Sequence, residues 1–384
     1  MKKYILSLLI AGSLPTTVSV LAQTKQQALD LLMKKKAVLE AKEAIDKVTE
    51  GSGKSDAEAW FYRGMIYKSL YDDDALRQNN KEADLEAYKA YKKSIKMGDA
   101  EDENLQQSRE DMFELAAGFV STATNYYEDG MKGEQLALKK AIEYFDAFID
   151  IYNTVTVEQA NIDKNLKDNE LDFAKVKYMA AQAKERVKDI AGAEKYYQEL
   201  VDAKFNEPAL YLNLSNLYIG DGKRDKAEKV LIDGRKRLPE ATEISLAYAK
   251  LISDDKRYQE AIDIAQKASK RDKNSGLPWA TLGEIYEKMV DYPKAEEAFK
   301  KGIDVAPDDF EPTHNFGCYY YRRAEAKAKK NDESAKEDYL AAITFFESAN
   351  RADPKNQDNL SKLYDCYLKT ENQRKADQIK LRMR

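Results

Sequence analysis

The chain has 384 residues, 34% of them charged, with only 16 glycines and 8 prolines. Its 63 basic and 68 acidic residues leave a formal net charge of −5, which argues against a nonspecific nucleic-acid binder. The length exceeds one ordinary compact core, and the composition is that of long, solvent-laced helices rather than a β-sandwich.

Residues 1–22 read as a secretory leader. "MKK" is a basic start, and "YILSLLIAGSL" is an apolar run too short to span a bilayer permanently. Pro15 and small residues follow, with Val20 and Ala22 matching the cleavage rule, so the mature chain is expected to begin at Gln23. No cysteine stands there to carry a lipid, and no later segment is apolar enough to be a transmembrane span. The expected destination is the periplasm or the cell exterior.

Residues 23–55 read as N-terminal capping helices and a connector. The connector contains "GSGKS", Gly51–Ser55, which imitates the end of a phosphate-binding loop. Val48 occupies the position that needs a glycine, and no strand precedes it, so a flexible link is the simpler reading. Residues 56–205 hold divergent helical hairpins with insertions. Trp60, Gly64 and Tyr67 mark one helix, with Arg63 where a leucine is expected. Ala87, Tyr91 and Ser94 mark its partner, across "YDDDALRQNN", an acidic stretch without the alternating pattern of a calcium loop.

Residues 206–308 are three regular units. "WATLGEIY", Trp279–Tyr286, puts Trp279, Leu282, Gly283 and Tyr286 on one helical face. A second helix follows with Ala295, Phe299 and Gly302, and Pro307 ends it. Tyr211, Leu214, Ser215 and Tyr218 repeat the first face, and Ala227, Ala261 and Ala295 mark a period of 34 residues without gaps. Residues 309–384 start in phase with Phe316, Gly317 and Tyr320, but the second helix arrives 13 residues late. The insertion near 323–339 is charged and alanine-rich and is expected to lengthen the hairpin.

Little here suggests catalysis. The single histidine, His314, limits a Ser-His-Asp triad to one residue, and no G-x-S-x-G elbow exists to hold the nucleophile. One histidine and two distant cysteines are a poor basis for zinc, so neither metal nor cofactor is expected. Cys318 and Cys366 are open to two readings, a disulfide or two small buried apolar residues. Most of the 25 tyrosines fall at equivalent packing positions and read as core rather than as a stacking platform.

The 34-residue pattern, carried by the residues above, resembles the tetratricopeptide repeat (TPR) family. The resemblance is sharpest over 208–308 and implies an all-α fold, an α-α superhelical solenoid of about seven to nine stacked antiparallel helix hairpins. Each hairpin alone has too much apolar face, and stacking buries it. Gly64, Ser215, Ala249, Gly283 and Gly317 would admit the second helix closely.

The resemblance also implies that the first helices line a concave groove for a protein or peptide partner. Groove candidates are Asn213, Asn216, Lys250, Thr281, Glu284, Glu287, His314, Asn315, Tyr321 and Arg322. The lysine–arginine set of the chaperone-binding branch is missing, so that specificity does not carry over. The leading expectation is a non-catalytic exported scaffold. The alternatives are a structural subunit of an envelope assembly or secretion machine, binding through its convex face or the insert, and a glycan-binding protein.

Overall fold

The computed structural model describes residues 16–34, 36–98, 103–154, 159–168 and 170–383. Most of the expected leader lies outside the described residues. Among the described residues there are twenty helices and no strand, and no helix is long and apolar enough to cross a membrane. The chain divides into two compact units, Met1–Leu200 and Val201–Arg384, and each is an all-α solenoid of stacked antiparallel hairpins.

In the first unit α1 (Thr16–Met33) pairs with α2 (Val38–Glu50). The next pair is α3 (Ala57–Asp72) and, beyond the single turn α4 (Asp74–Arg77), α5 (Ala83–Met97). After these, α6 (Glu103–Met131) pairs with α7 (Gln135–Thr154), and α8 (Gln159–Asp168) leads to α9 (Phe173–Arg186) and α10 (Ile190–Asp202). Buried aromatics such as Phe119, Tyr144 and Phe148 form the core between α3 and α9. Many tyrosine hydroxyls end on carboxylates: Tyr91 donates to Asp111 at 2.6 Å, Tyr88 to Asp150 at 2.7 Å and Tyr144 to Asp84 at 2.9 Å. That satisfies the one polar atom of a ring whose body is buried.

Two departures from the repeat pattern in this unit have local reasons. Arg63 replaces a leucine because it bonds across the stack, to Asp46 of α2, to Glu86 of α5 at 3.4 Å and to the Tyr67 hydroxyl at 3.2 Å. The "GSGKS" stretch is a turn, and the carboxylate of Asp56 caps α3 by accepting the backbone N–H groups of Glu58 and Ala59. An acid thus occupies the helix terminus where a phosphate would bind.

In the second unit the pairs are α11 (Pro208–Gly220) with α12 (Arg224–Arg237), α13 (Thr242–Asp254) with α14 (Tyr258–Arg271), and α15 (Leu277–Lys288) with α16 (Tyr292–Val305). The longer pair α17 (Phe310–Ala328) and α18 (Ala335–Ala352) contains the 13 extra residues, and α19 (Gln357–Lys369) with α20 (Gln373–Lys380) completes the unit. Asp338 closes the long hairpin, held by Arg323 at 2.5 Å and Lys327 at 2.8 Å. Each of the first three hairpins turns through one left-handed residue, Gly222, Lys256 and Val290, at φ of 71°, 64° and 64°. They stand one repeat apart, so the turn geometry repeats even where its glycine does not.

Gly283 explains itself in the packed hairpin. A Cβ there would lie 2.8 Å from three ring atoms of Phe299, on the second helix of the same hairpin. Phe299 is fully buried and stacks on Phe316 of the next hairpin, with centroids 5.2 Å apart and planes 15° apart. The large rings of the motif are not enclosed as Gly283 and Phe299 are. Trp279 and Tyr286 are half-buried, and Lys301 lies 3.8 Å from the Trp279 ring centre. Trp60 is capped in the same way by Lys93 at 3.6 Å. These rings cover the core on one side and hold a cation on the other.

Candidate interaction face

The candidate residues lie on the first helices of the second unit: Asn213 and Asn216 on α11, Lys250 on α13, Thr281, Glu284 and Glu287 on α15, and His314, Asn315, Tyr321 and Arg322 on α17. Neighbouring packed helices are about 10 Å apart, so residues one repeat apart stand side by side and long side chains meet. The charged candidates therefore pair with one another. Lys250 bonds Glu284 at 3.0 Å, and Arg322 grips both carboxylate oxygens of Glu287 at 2.9 and 2.5 Å. A parallel row adds Lys288, which bonds Asp254 and donates to the Ser253 hydroxyl at 2.9 Å. The sequence reading missed Lys288 and Asp254, although they are one 34-residue step apart.

The other candidates separate into exposed and enclosed positions. Asn216 and Arg322 are exposed, while Asn213, Asn315 and Tyr321 are half-buried. The Tyr321 hydroxyl donates to Asp365 of α19 at 2.8 Å. Two candidates do not belong to an open face. Thr281 is fully buried, its hydroxyl donating to the Leu277 carbonyl one turn back at 3.0 Å. His314 is also buried, because its side of α17 packs against α19 rather than facing solvent.

Around His314 the fold gathers groups that are distant in sequence. Nδ1 lies 2.9 Å from Asn359 Oδ1, Nε2 lies 3.0 Å from Asp358 Oδ2, and Cys318 Sγ lies 3.4 Å from Nε2. Asn359 is fully buried and its Nδ2 donates to the Phe346 carbonyl at 3.0 Å, which fixes the direction of its amide. The ring stacks on Phe310 with centroids 4.8 Å apart. His314 and Cys318 share one face of α17 at i, i+4 spacing. Asp358 is within a turn of the position that the repeat step plus the 13-residue insertion assigns beside them. Cys318 and Cys366 are both buried and free, and burial pushes the Cys318 thiol up to about 11.

Residues 278–309, spanning α15 and α16, match the family model described as a tetratricopeptide repeat. That segment is a tetratricopeptide repeat. Among solved structures it is similar to a tetratricopeptide repeat protein from Parabacteroides merdae, at 15% identity over 77% of this chain and 97% of that one, with a TM-score of 0.42. It is also similar to yeast Tom70, at 13% identity over 95% and 91% of the two chains, with a TM-score of 0.39. A third likeness is to YrrB, described as a TPR protein with an unusual peptide-binding site, at 18% identity over 49% and 90%, with a TM-score of 0.27. No curated protein matches the chain.

In the matched repeat, Gly283, Ala295 and Phe299 pack the hairpin while Glu284 and Glu287 reach the neighbouring repeats. Packing and pairing are thus divided between two sides of one helix.

Proposed function

We propose that the protein is a non-catalytic scaffold that takes a protein or peptide segment along the first-helix face of residues 201–384. The observation that supports this reading is the polar strip on successive first helices: Asn216, Lys250 and Glu284 at 34-residue steps, with Glu287 and Arg322 paired beside them. An extended peptide rises about 3.3 Å per residue, so it would meet a new helix roughly every three residues. The ion pairs of the strip are partly exposed, and pairs of that kind contribute about 0.2–1 kcal/mol each. A partner's own charges and backbone groups can therefore exchange with them at small net cost, and the alternating signs would select its register.

Photo-crosslinking side chains placed at 216, 287 and 322, with controls at the exposed second-helix positions 229 and 297, test the proposal in cells. One partner should couple from the first-helix positions, and Lys250→Glu with Arg322→Glu should weaken the coupling. Adducts arising only from the controls, or from residues 336 and 337 of the inserted hairpin, would refute the face and favour a structural subunit of an envelope machine.

Export is part of the same proposal and rests on the basic and apolar pattern of residues 1–22. Sequencing the N-terminus of protein isolated from the envelope fraction should return Gln23, and a chain retaining Met1 in the cytosol would reject it.

A further inference from the structure

We propose that His314, Cys318 and Asp358 bind one zinc-class divalent cation that clips α17 to α19. The argument begins with protons. Because Asn359 Nδ2 is committed to the Phe346 carbonyl, its Oδ1 faces the ring and accepts a hydrogen bond from His314 Nδ1–H at 2.9 Å. In the neutral ring Nε2 is then a lone pair. That lone pair faces Asp358 Oδ2 at 3.0 Å and Cys318 Sγ at 3.4 Å.

With the ring neutral, a thiol proton given to Nε2 leaves the carboxylate oxygen against the same nitrogen. An imidazolium donating to Asn359 and Asp358 satisfies both, with the sulfur a weak second acceptor. A proton and a metal cation therefore compete for one cluster of three donor atoms. A cation at their centre is attracted by all three. The three ligand atoms lie within 4.8 Å of one another. Tetrahedral zinc, with bonds of about 2.0–2.3 Å, separates its ligand atoms by about 3.3–3.6 Å. The nitrogen–sulfur distance already fits, and Asp358, whose side chain is 61% exposed and tied only to His314 and the long side chain of Lys362, can shift by the few tenths of an ångström needed.

The donor set selects the metal class. One imidazole, one thiol and one carboxylate suit a borderline-soft ion, not calcium or magnesium. The surroundings also have the form of a metal second shell, in which the histidine's other nitrogen is held by a buried polar group. Here that group is Asn359, and Lys362 bonds the remaining oxygen of Asp358. On binding, the Cys318 S–H bond breaks, its proton leaves to solvent and the sulfur keeps the electron pair as the metal bond forms. Three protein ligands leave a fourth position open on the exposed Asp358 side, for water or a partner's donor.

Cobalt(II) added to the purified, reduced, metal-free full-length chain is the probe. One equivalent should produce a thiolate-to-cobalt charge-transfer band with intense visible bands of tetrahedral cobalt, and zinc(II) should bleach both. Cys318→Ser should abolish the charge-transfer band, and Cys366→Ser should leave it intact. Asp358→Asn changes only an exposed side chain, so folding is not at risk, and should weaken binding at least tenfold. Asn359→Ala should weaken binding by about 10–100-fold. Absence of the bands in the parent chain, their persistence in Cys318→Ser, or unchanged affinity in Asp358→Asn would overturn the site.

Discussion

Replacing Gly283 with alanine sets two opposing terms against each other. Alanine in a helix interior is favoured over glycine by about 1 kcal/mol. The new Cβ, however, would lie 2.8 Å from three ring atoms of Phe299. Carbon atoms prefer about 3.5–4.0 Å, so the ring must retreat by roughly 1 Å. Behind it stands Phe316 at 5.2 Å between centroids, itself against Phe345 at 4.3 Å. Overpacking of this kind costs about 1–3 kcal/mol. The net expectation is a loss of about 1 kcal/mol. With a urea slope of about 2–3 kcal/mol per M, that lowers the midpoint by roughly 0.3–0.5 M. Trp279, one of only two tryptophans, reports on this unit by fluorescence once Trp60 is replaced by phenylalanine. Gly220→Ala is the internal control, because nothing lies within 4 Å of a Cβ there and only the helix-propensity gain remains. If Gly283→Ala raises the midpoint as Gly220→Ala does, the seam is not close-packed and the reasoning fails.

Two further outcomes follow from single positions. Val290 is a β-branched residue held at φ 64° with its side chain mostly exposed. The left-handed conformation costs an ordinary residue about 1–2 kcal/mol, and asparagine tolerates it better, so Val290→Asn should raise the urea midpoint by the equivalent of about 1 kcal/mol. An unchanged or lower midpoint would show that the turn is unstrained. At Asp338, burial raises the carboxyl's affinity for protons, but bonds from Arg323 and Lys327 outweigh it and hold the pKa below the ordinary aspartate value. The unfolded carboxyl titrates near pH 4, so this stabilisation is complete above that pH and fades as pH falls through the lower folded value. Asp338→Asn should therefore cost about 1.5–3 kcal/mol at pH 7, with the gap to the parent narrowing below pH 4. Thermal melts at pH 7 and pH 3 that show the same loss would contradict the assignment.

The repeat, its period and its packing glycines were legible because stacking is local. Each hairpin contacts only its neighbours, so Gly283 with Phe299 and Gly317 with Phe346 are written within single units. The candidate interaction face was legible only in part. Position within a helix identified Glu284, Glu287 and Lys250 as outside the core, but not that they pair across repeats. Thr281 and His314 were misplaced because a first helix has three surroundings: its own partner, the next first helix and solvent. Helical periodicity separates core from surface but does not tell the last two apart.

From the sequence alone came the all-helical class, the 34-residue period, the lengthened hairpin and the residues that must be small. These depend on patterns within about one repeat, where covalent spacing dictates geometry. The tertiary structure alone decided what stands beside His314. Asp358 and Asn359 are 44 and 45 residues away and reach it only because a lengthened hairpin returns the chain to the same height on the next helix. Repeat spacing tells which helices are neighbours. Which side chains share the space between them depends on how the helices are rotated and offset, and that is set when they pack.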